Sequence, residues 1–316
     1  MSKSKSTTFT KDPSLAAKIL RQGGIVLFPT ETVYGLGVDS RNLSACLEIY
    51  KIKNRPADNP LIVHLANPEQ IAEIADITED GYRIIRQFMP GPITIILRKK
   101  DESVYSTGLS TIAVRVPAHK LCAEMLSDFG GPVSAPSANL SGRPSITRYE
   151  DAVEEFDGLV DLILQGDEPT IGLESTVVDL SVDPPRLLRP GLYGVEELSR
   201  VLPNLASVGD RATQAQPMSP GLKYKHYAPE CEVYFVQSNP LPEQNSAAIG
   251  IGIDIDDWAF AVRVNDNFGY MRELYSFFRD CDKKGIRKAY CFPPANEAGK
   301  EALLNRIRKA SEGSRT

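Results

Sequence analysis

Short apolar runs alternate with amphipathic stretches along the first 200 residues. Consecutive or alternating apolar residues predict strands in GGIVLF, PLIVHL, GPITIILRK, STIAVRVP, LVDLILQG, STVVDLS and PRLLRPG. Apolar positions three or four residues apart predict helices in Leu43–Lys53, NPEQIAEIAD, EDGYRIIRQFM, AHKLCAEMLSDFG and RYEDAVEEFDG. Because βαβ alternations are too few for a doubly wound sheet, the pattern predicts a mixed α/β fold with a twisted, partly antiparallel sheet.

The periodicity then stops over residues 202–230, where turn formers and polar residues predominate. Such a stretch is typical of an interdomain linker. Beyond it, CEVYFV, AAIGIGI and AYCFP predict strands, and MRELYSFFRDCDKKG and EAGKEALLNRIRKAS predict helices. We therefore expect a mixed α/β domain over residues 1–201, a linker over 202–230 and a small α/β domain over 231–316.

Composition excludes several classes of protein. The 316 residues carry 36 Lys plus Arg against 41 Asp plus Glu, a net charge of -5, which lacks the basic footprint of a nucleic-acid-binding protein. The five cysteines are odd in number and form no C-x-x-C pair, so a reducing compartment is favoured over a disulfide framework or a zinc site. No stretch approaches the roughly 20 apolar residues of a membrane helix, and the polar start lacks a signal sequence. We expect a cytoplasmic location.

Common catalytic motifs do not occur in the sequence. It has no P-loop, no H-E-x-x-H, no G-x-S-x-G and no kinase H-R-D set. Gly250 and Gly252 form a lone G-x-G without the third glycine, which favours close packing of a strand over a phosphate site.

Polar loops at strand ends are the better candidates for a site, because α/β folds place ligands there. Arg115 lies within the strand IAVRV and must contact either water or an anion. Lys53 and Arg55 follow a helix, where they either complement its dipole or bind an anion. The serine-rich SAPSANLSGRPS is either a phosphate cradle or a plain turn. His64 on its apolar strand is more often structural than catalytic.

The order of these loops resembles a known family. PTETVYGLG, KNRP followed by DNPLIVH, SAPSAN and SPGLKYKHYAP are similar to the two-domain Sua5 branch of the YrdC/Sua5 family, the L-threonylcarbamoyladenylate synthases. Lys53, Arg55, Ser137 and Asn139 match the family signature K-x-R…S-x-N. The resemblance implies a YrdC-like twisted mixed sheet with flanking helices, followed by a small Rossmann-like Sua5 domain.

The resemblance also implies a reaction. L-threonine, bicarbonate or CO2 and ATP would give threonylcarbamoyl-AMP and pyrophosphate, the first step of N6-threonylcarbamoyladenosine (t6A) synthesis in tRNA. Threonine carbamate already carries a nucleophilic oxygen, so attack on the α-phosphate needs positioning and charge neutralisation more than a general base. Mg2+ would accompany ATP, with no metal held by the protein. The product would pass transiently to a separate threonylcarbamoyl-transfer enzyme, without tight nucleic-acid binding.

Site residues follow from the same resemblance. Catalytic roles fall on Lys53 and Arg55, which would hold the triphosphate and its developing charge. The residues implied for L-threonine are Thr32, His64, Arg115, Ala135 and Ser175, with Arg115 on the carboxylate. Those implied for ATP are Arg55, Asn59, Thr111, Ser137, Asn139, Ser145, Arg189 and Tyr227. The cations and aromatics of the linker, Lys223 to Tyr227, suggest a lid over a labile mixed anhydride.

Two alternatives stay open. An RNA-binding module would show salt-dependent RNA affinity without ATP turnover, although the net charge disfavours it. A carbamoyladenylate-forming domain of the hydrogenase-maturation kind would turn over carbamoyl phosphate without threonine, although the chain lacks the zinc-finger cysteine pairs of those proteins.

Overall fold

Two sheets organise the chain, whose computed structural model describes residues 6–206, 227–237 and 242–313. The strands are β1 Thr8–Thr10, β2 Val26–Phe28, β3 Gly35–Asp39, β4 Ile62–His64, β5 Ala75–Asp76, β6 Ile93–Lys99, β7 Thr111–Arg115, β8 Val133–Ser134, β9 Leu162–Leu164, β10 Thr176–Asp179, β11 Arg186–Arg189, β12 Glu232–Phe235, β13 Ser246–Ile251, β14 Phe260–Val264 and β15 Lys288–Cys291. The helices are α1 Pro13–Arg21, α2 Leu43–Ile52, α3 Ile71–Ile74, α4 Glu79–Phe88, α5 Lys120–Phe129, α6 Tyr149–Phe156, α7 Val195–Ser199, α8 Asn267–Lys283 and α9 Lys300–Gly313, with a 3-10 turn at Pro68–Gln70.

The larger sheet is mixed, as the sequence predicts. Its order is β1-β9-β2-β3-β8-β4-β7-β6-β10-β11, and β5 pairs with β6. The β4–β7 and β6–β10 pairs are parallel, whereas β6–β7, β4–β8 and β3–β8 are antiparallel.

The two faces of this sheet differ in polarity. Val63 and Val114 are buried in an apolar cluster with residues of α3, α4 and α7. Side chains alternate across a strand, so His64 and Arg115, which are register partners, lie on the opposite face. Thr94 of β6 lies on that face as well. The sheet therefore separates a hydrophobic core from a face that carries polar groups.

The smaller sheet is parallel throughout, in the order β12-β15-β13-β14. Helix α8 packs on β13 and β14 and also contacts α9, which packs on β12. A Cβ added to Gly250 would lie 2.5 Å from the Cβ of Phe292. This agrees with the interpretation of the lone G-x-G as close packing.

The two regions share a core. Ile171 and Leu173 precede β10, and both belong to a buried cluster that contains Tyr227 and the apolar residues of α8 and α9. The predicted domain boundaries stay a prediction, and residues 207–226 of the predicted linker lie outside the described residues.

Some elements differ from the prediction. NPEQIAEIAD is a 3-10 turn, the single turn α3 and the strand β5 rather than one helix. The backbone becomes extended at Ala75, which pairs with Lys99. The pattern also missed α1 and the weakly buried edge strand β14. A signal for α1 was present, because Asp12 caps this helix and Pro13 is its first residue. Among the described residues, no helix has the length and hydropathy needed to span a membrane.

Candidate functional site

The polar loops predicted from the sequence converge on one cleft, which is partly open to solvent. The predicted site residues that line it are Thr32, Lys53, Arg55, His64, Arg115, Ala135, Ser137, Asn139, Ser175, Arg189 and Tyr227. The structure thus brings together residues spread over almost 200 positions of the sequence.

Lys53 lies at the C-terminus of α2 and is buried. Its Nζ donates to the carbonyl oxygen of Ser137 at 2.6 Å and to that of Asn139. Burial, and next the charge of Arg55, lower the pKa of Lys53 well below its usual value. Complementing the dipole of α2 is a role that fits the exposed Lys51, whereas the ammonium of Lys53 instead binds the two carbonyls.

The loop that Lys53 contacts is braced internally. Ser137 donates its Oγ hydrogen to Asn139 Oδ1 at 2.7 Å, and Asn139 Nδ2 donates to the carbonyls of Leu140 and Arg143 at 2.9 and 3.0 Å. The S-x-N part of the signature therefore fixes the loop's shape while exposing backbone and hydroxyl groups to the cleft.

Arg55 is the cation beside this loop. It donates from Nε to the carbonyl of Asn59 at 3.4 Å and from Nη2 to that of Pro60 at 3.1 Å. Burial lowers its pKa to about 10, so it remains charged at neutral pH. Asn59 does not line the cleft, but its carbonyl positions Arg55.

Arg115 and His64 are adjacent on the polar face of the sheet. Arg115 is almost fully buried and lies 2.8 Å, from Nη2 to Oε2, from Glu31. The anion that Arg115 required is therefore present within the chain. His64 approaches the Ile62 carbonyl through Nδ1 at 3.1 Å. Burial, and next the charge of Arg115, lower the pKa of His64 to about 3, so the ring is neutral.

Ser175 connects the two predicted halves of the site. Its Oγ lies 2.8 Å from Thr94 Oγ1, and Arg189 donates to its Oγ and carbonyl at 3.1 and 3.0 Å. Ser175 was assigned to threonine and Arg189 to ATP, so the two predicted subsites share this boundary.

Thr111 and Ser145 do not line the cleft. Thr111 begins β7, on the same face as Arg115 but four residues away from it. Ser145 is fully buried, and its Oγ donates to Glu174 Oε1 at 2.6 Å. Ser145 therefore reaches the cleft through Glu174, which does line it.

Glu174 is a cleft residue that the sequence analysis missed. Tyr275 donates to its Oε2 at 2.9 Å, and Arg306 Nε lies 3.0 Å from the same oxygen. Burial opposes ionisation, yet Arg306 and Arg189 hold the pKa of Glu174 below its usual value. The available signal was an acidic residue in the loop GLESTVVD, as Glu31 is in PTETVYGLG.

Tyr227 closes one side of the cleft and stacks on Tyr275, with ring centroids 5.6 Å apart. It begins a described segment, whereas Lys223, Tyr224, Lys225 and His226 of the proposed lid lie outside the described residues.

The charge of the cleft favours an anionic ligand. Within the described residues, the lining and the groups paired with it carry the cations Lys53, Arg55, Arg115, Arg189 and Arg306 against the carboxylates Glu31 and Glu174. Buried cations in excess are stabilised by an incoming anion such as a phosphate or a carboxylate.

Comparisons with known proteins identify the family of the chain. Residues 18–191 match the Sua5/YciO/YrdC family, described as telomere recombination, and residues 193–312 match the family described as the threonylcarbamoyl-AMP synthase C-terminal domain. A threonylcarbamoyl-AMP synthase of Pyrococcus abyssi is 37% identical over 94% of this chain and 93% of its own. One from Bacillus subtilis is 41% identical over 73% and 69%. The structure of P. abyssi Sua5 complexed with L-threonine superposes with a TM-score of 0.87 at 34% identity, covering 98% of each chain.

Proposed function

Because the chain belongs to the Sua5/YciO/YrdC family and carries the C-terminal domain of threonylcarbamoyl-AMP synthases, we propose that it makes threonylcarbamoyl-AMP from L-threonine, bicarbonate or CO2 and ATP. It would act as a nucleotidyltransferase that releases pyrophosphate, in the first step of t6A synthesis. The observation that carries the proposal is the contact between Ser175 and Arg189 in the lining of one cleft, because Ser175 is proposed to bind threonine and Arg189 to bind ATP.

The chemistry needs no strong base from the protein. Threonine nitrogen attacks CO2 and loses a proton to solvent, which gives a carbamate. A carbamate oxygen then attacks the α-phosphorus, a P–O bond forms, and the bond to pyrophosphate breaks. The chain would hold the reactants in line and neutralise the charge that moves onto pyrophosphate. The neutral His64 fits a binding role, because a ring with a pKa of about 3 is too weak a base to accept a proton at neutral pH.

The contacts refine the implied roles. L-threonine would lie among Thr32, His64, Arg115, Ala135 and Ser175, with Glu31 fixing the direction of Arg115. Of the residues implied for ATP, those that line the cleft and would contact it are Arg55, Ser137, Asn139, Arg189 and Tyr227. Asn59 would act through Arg55 and Ser145 through Glu174, whereas Thr111 lies outside the lining. Arg55 would contact phosphate, whereas Lys53, whose ammonium already donates to two carbonyls, would act by holding the loop.

Mg2+ would arrive with ATP. The cleft carboxylate Glu174 and the neighbouring Glu31 are each paired with an arginine, so they are poor ligands for a hard cation, and we derive no step through the metal. A cytoplasmic location is supported by five free, buried cysteines. The net charge of -5 disfavours tight tRNA binding, and the product would pass transiently to a separate transfer enzyme.

Pyrophosphate release tests the proposal. The purified protein is given ATP and Mg2+, with threonine and bicarbonate each present or omitted. We expect release only with both, and threonylcarbamoyl-AMP as the adenylate product. Release that needs neither would contradict the proposal. So would a lack of release combined with salt-dependent RNA binding, the result expected of an RNA-binding module.

A further inference from the structure

A charged side chain interrupts the buried stripe of the last helix. Ala302, Leu303, Ile307 and Ala310 form the apolar face of α9, and Arg306 lies among them with no exposed surface. Burying a guanidinium is costly unless it is paired and hydrogen-bonded. Its contacts therefore indicate what this position does.

Three of the four polar or aromatic contacts of Arg306 within the described residues are with cleft residues or a residue next to one. Arg306 Nε is 3.0 Å from Glu174 Oε2, and Nη1 donates at 3.1 Å to the carbonyl of Pro190, next to Arg189. The guanidinium lies 5.3 Å from the centroid of the Tyr227 ring. Only its contact with Asn305, at 2.8 Å, stays within α9.

Tyr275 of α8 holds the same two cleft residues. Its hydroxyl donates to Glu174 at 2.9 Å and its ring stacks on Tyr227. Glu174 and Tyr227 line the cleft, whereas Arg306 and Tyr275 lie behind them and do not. The C-terminal helices thus support the cleft wall without contacting its contents.

Arg306 also determines the charge that the cleft wall presents at Glu174. Glu174 is buried and ionised beside the cations proposed to hold triphosphate. Arg306 neutralises the carboxylate and keeps both of its oxygens turned toward Ser145 and the C-terminal helices. Without Arg306, the Glu174 carboxylate would lose its ion-pair partner from α9, and more of its negative charge would act on the phosphates and repel them.

We infer that Arg306, assisted by Tyr275, is a positioning residue of the nucleotide side of the cleft, acting through Glu174 and Tyr227. The inference rests on the proposed function and gives the C-terminal region a part in nucleotide binding. L-threonine would be affected much less, because within the described residues Arg115 pairs with Glu31 and His64 with the carbonyl of Ile62, and neither contacts Arg306 or Glu174.

Paired binding measurements test this inference. Calorimetry with α,β-methylene-ATP and, separately, with L-threonine is run on the full-length native protein and on Arg306→Met, together with KM for both substrates. We expect Arg306→Met to weaken nucleotide binding by about tenfold or more and threonine binding by less than about twofold. Arg308→Met on the exposed face of the same helix is the matched control and should change neither.

Two further variants keep the test decisive. Tyr275→Phe removes only a hydroxyl and should fold, with nucleotide binding weakened about threefold. In Arg306→Met/Glu174→Gln no buried charge is left unpaired, so nucleotide affinity should recover relative to Arg306→Met alone. Equal losses for both ligands, or native nucleotide affinity in folded Arg306→Met and Tyr275→Phe, would overturn the inference. Failure of the native protein to bind nucleotide at all would instead contradict the proposed function, and this inference with it.

Discussion

Arg279 of α8 and Glu155 of α6 form a buried ion pair, with 2.8 Å between Nη1 and Oε2. Arg279 Nη2 also donates to the carbonyl of Pro144 at 2.7 Å, and Glu155 accepts from the amide of Leu140 at 2.5 Å. The loop over residues 137–145 is therefore held by Lys53 from one side and by the C-terminal region from the other.

Breaking this pair should destabilise the protein strongly. Arg279→Met leaves the Glu155 carboxylate buried and unpaired, which costs about 3–5 kcal/mol of unfolding free energy. Urea denaturation followed by circular dichroism measures it. Arg272→Met, an exposed position of the same helix, should change the unfolding free energy by less than about 0.5 kcal/mol. Similar values for the two variants would show that the pair contributes little.

Lys53 and Lys51 offer a matched comparison two residues apart. Lys53→Met leaves two buried carbonyls without their donor, so we expect a loss of about 2–4 kcal/mol in unfolding free energy and at least a tenfold fall in kcat. Lys51 is exposed and, among the described residues, pairs with Glu48, so Lys51→Met should cost less than about 1 kcal/mol. Unfolding and pyrophosphate assays on both variants check this, and a folded Lys53→Met enzyme with native kcat would refute the loop-holding role.

Arg115→Ala should change the KM for threonine and the KM for ATP to different extents. It removes the cation proposed for the threonine carboxylate, so the KM for threonine should rise about a hundredfold while the KM for ATP changes less than about threefold. Arg86→Ala, at an exposed position of α4, serves as the control. An equal rise of both KM values would argue against the assignment.

His64 should give stability a pH dependence. The unfolded chain protonates this histidine below about pH 6.5, whereas the folded ring, with a pKa of about 3, stays neutral. The unfolded state therefore binds the extra proton, and stability falls as pH drops from 6.5 toward 3. Between pH 7.5 and pH 5 the loss should be about 2 kcal/mol. Denaturation curves of native protein and His64→Gln measure the difference, and identical pH slopes would contradict it.

Gly172 tests the contact between the two regions. Its φ is +80°, and an added Cβ would lie 2.4 Å from Arg272 Cα and 2.5 Å from the Met271 carbonyl. Gly130 has a similar φ of +76° with nothing within 4 Å of its Cβ. Gly130→Ala should cost about 1–2 kcal/mol from backbone strain alone, and Gly172→Ala should cost at least about 2 kcal/mol more. Thermal unfolding compares them, and equal costs would mean that α8 can move away freely.

The elements of the site could be predicted because their signals are local. Strand periodicity located β4, β6 and β7, whereas Lys53, Arg55 and Ser137 were identified by their match to the family signature K-x-R…S-x-N. The role of Lys53 on phosphate stays a prediction, and the structure adds that its Nζ donates to carbonyls 84 and 86 residues away. A hydrogen bond over that distance leaves no periodic trace in the sequence.

By itself, the sequence determined the mixed sheet and the loops that bear the site, since propensity and alternation act between near neighbours. It also showed that cations are in excess among the motif residues. Only the tertiary structure decided the partners of those charges. Arg115 is neutralised by Glu31, and Glu174 by Arg306 across 132 residues. The free energy of burying a charged group depends on the groups that the fold places beside that charge. The sequence of α9 shows one arginine within an apolar stripe, but it does not specify which carboxylate will pair with that arginine.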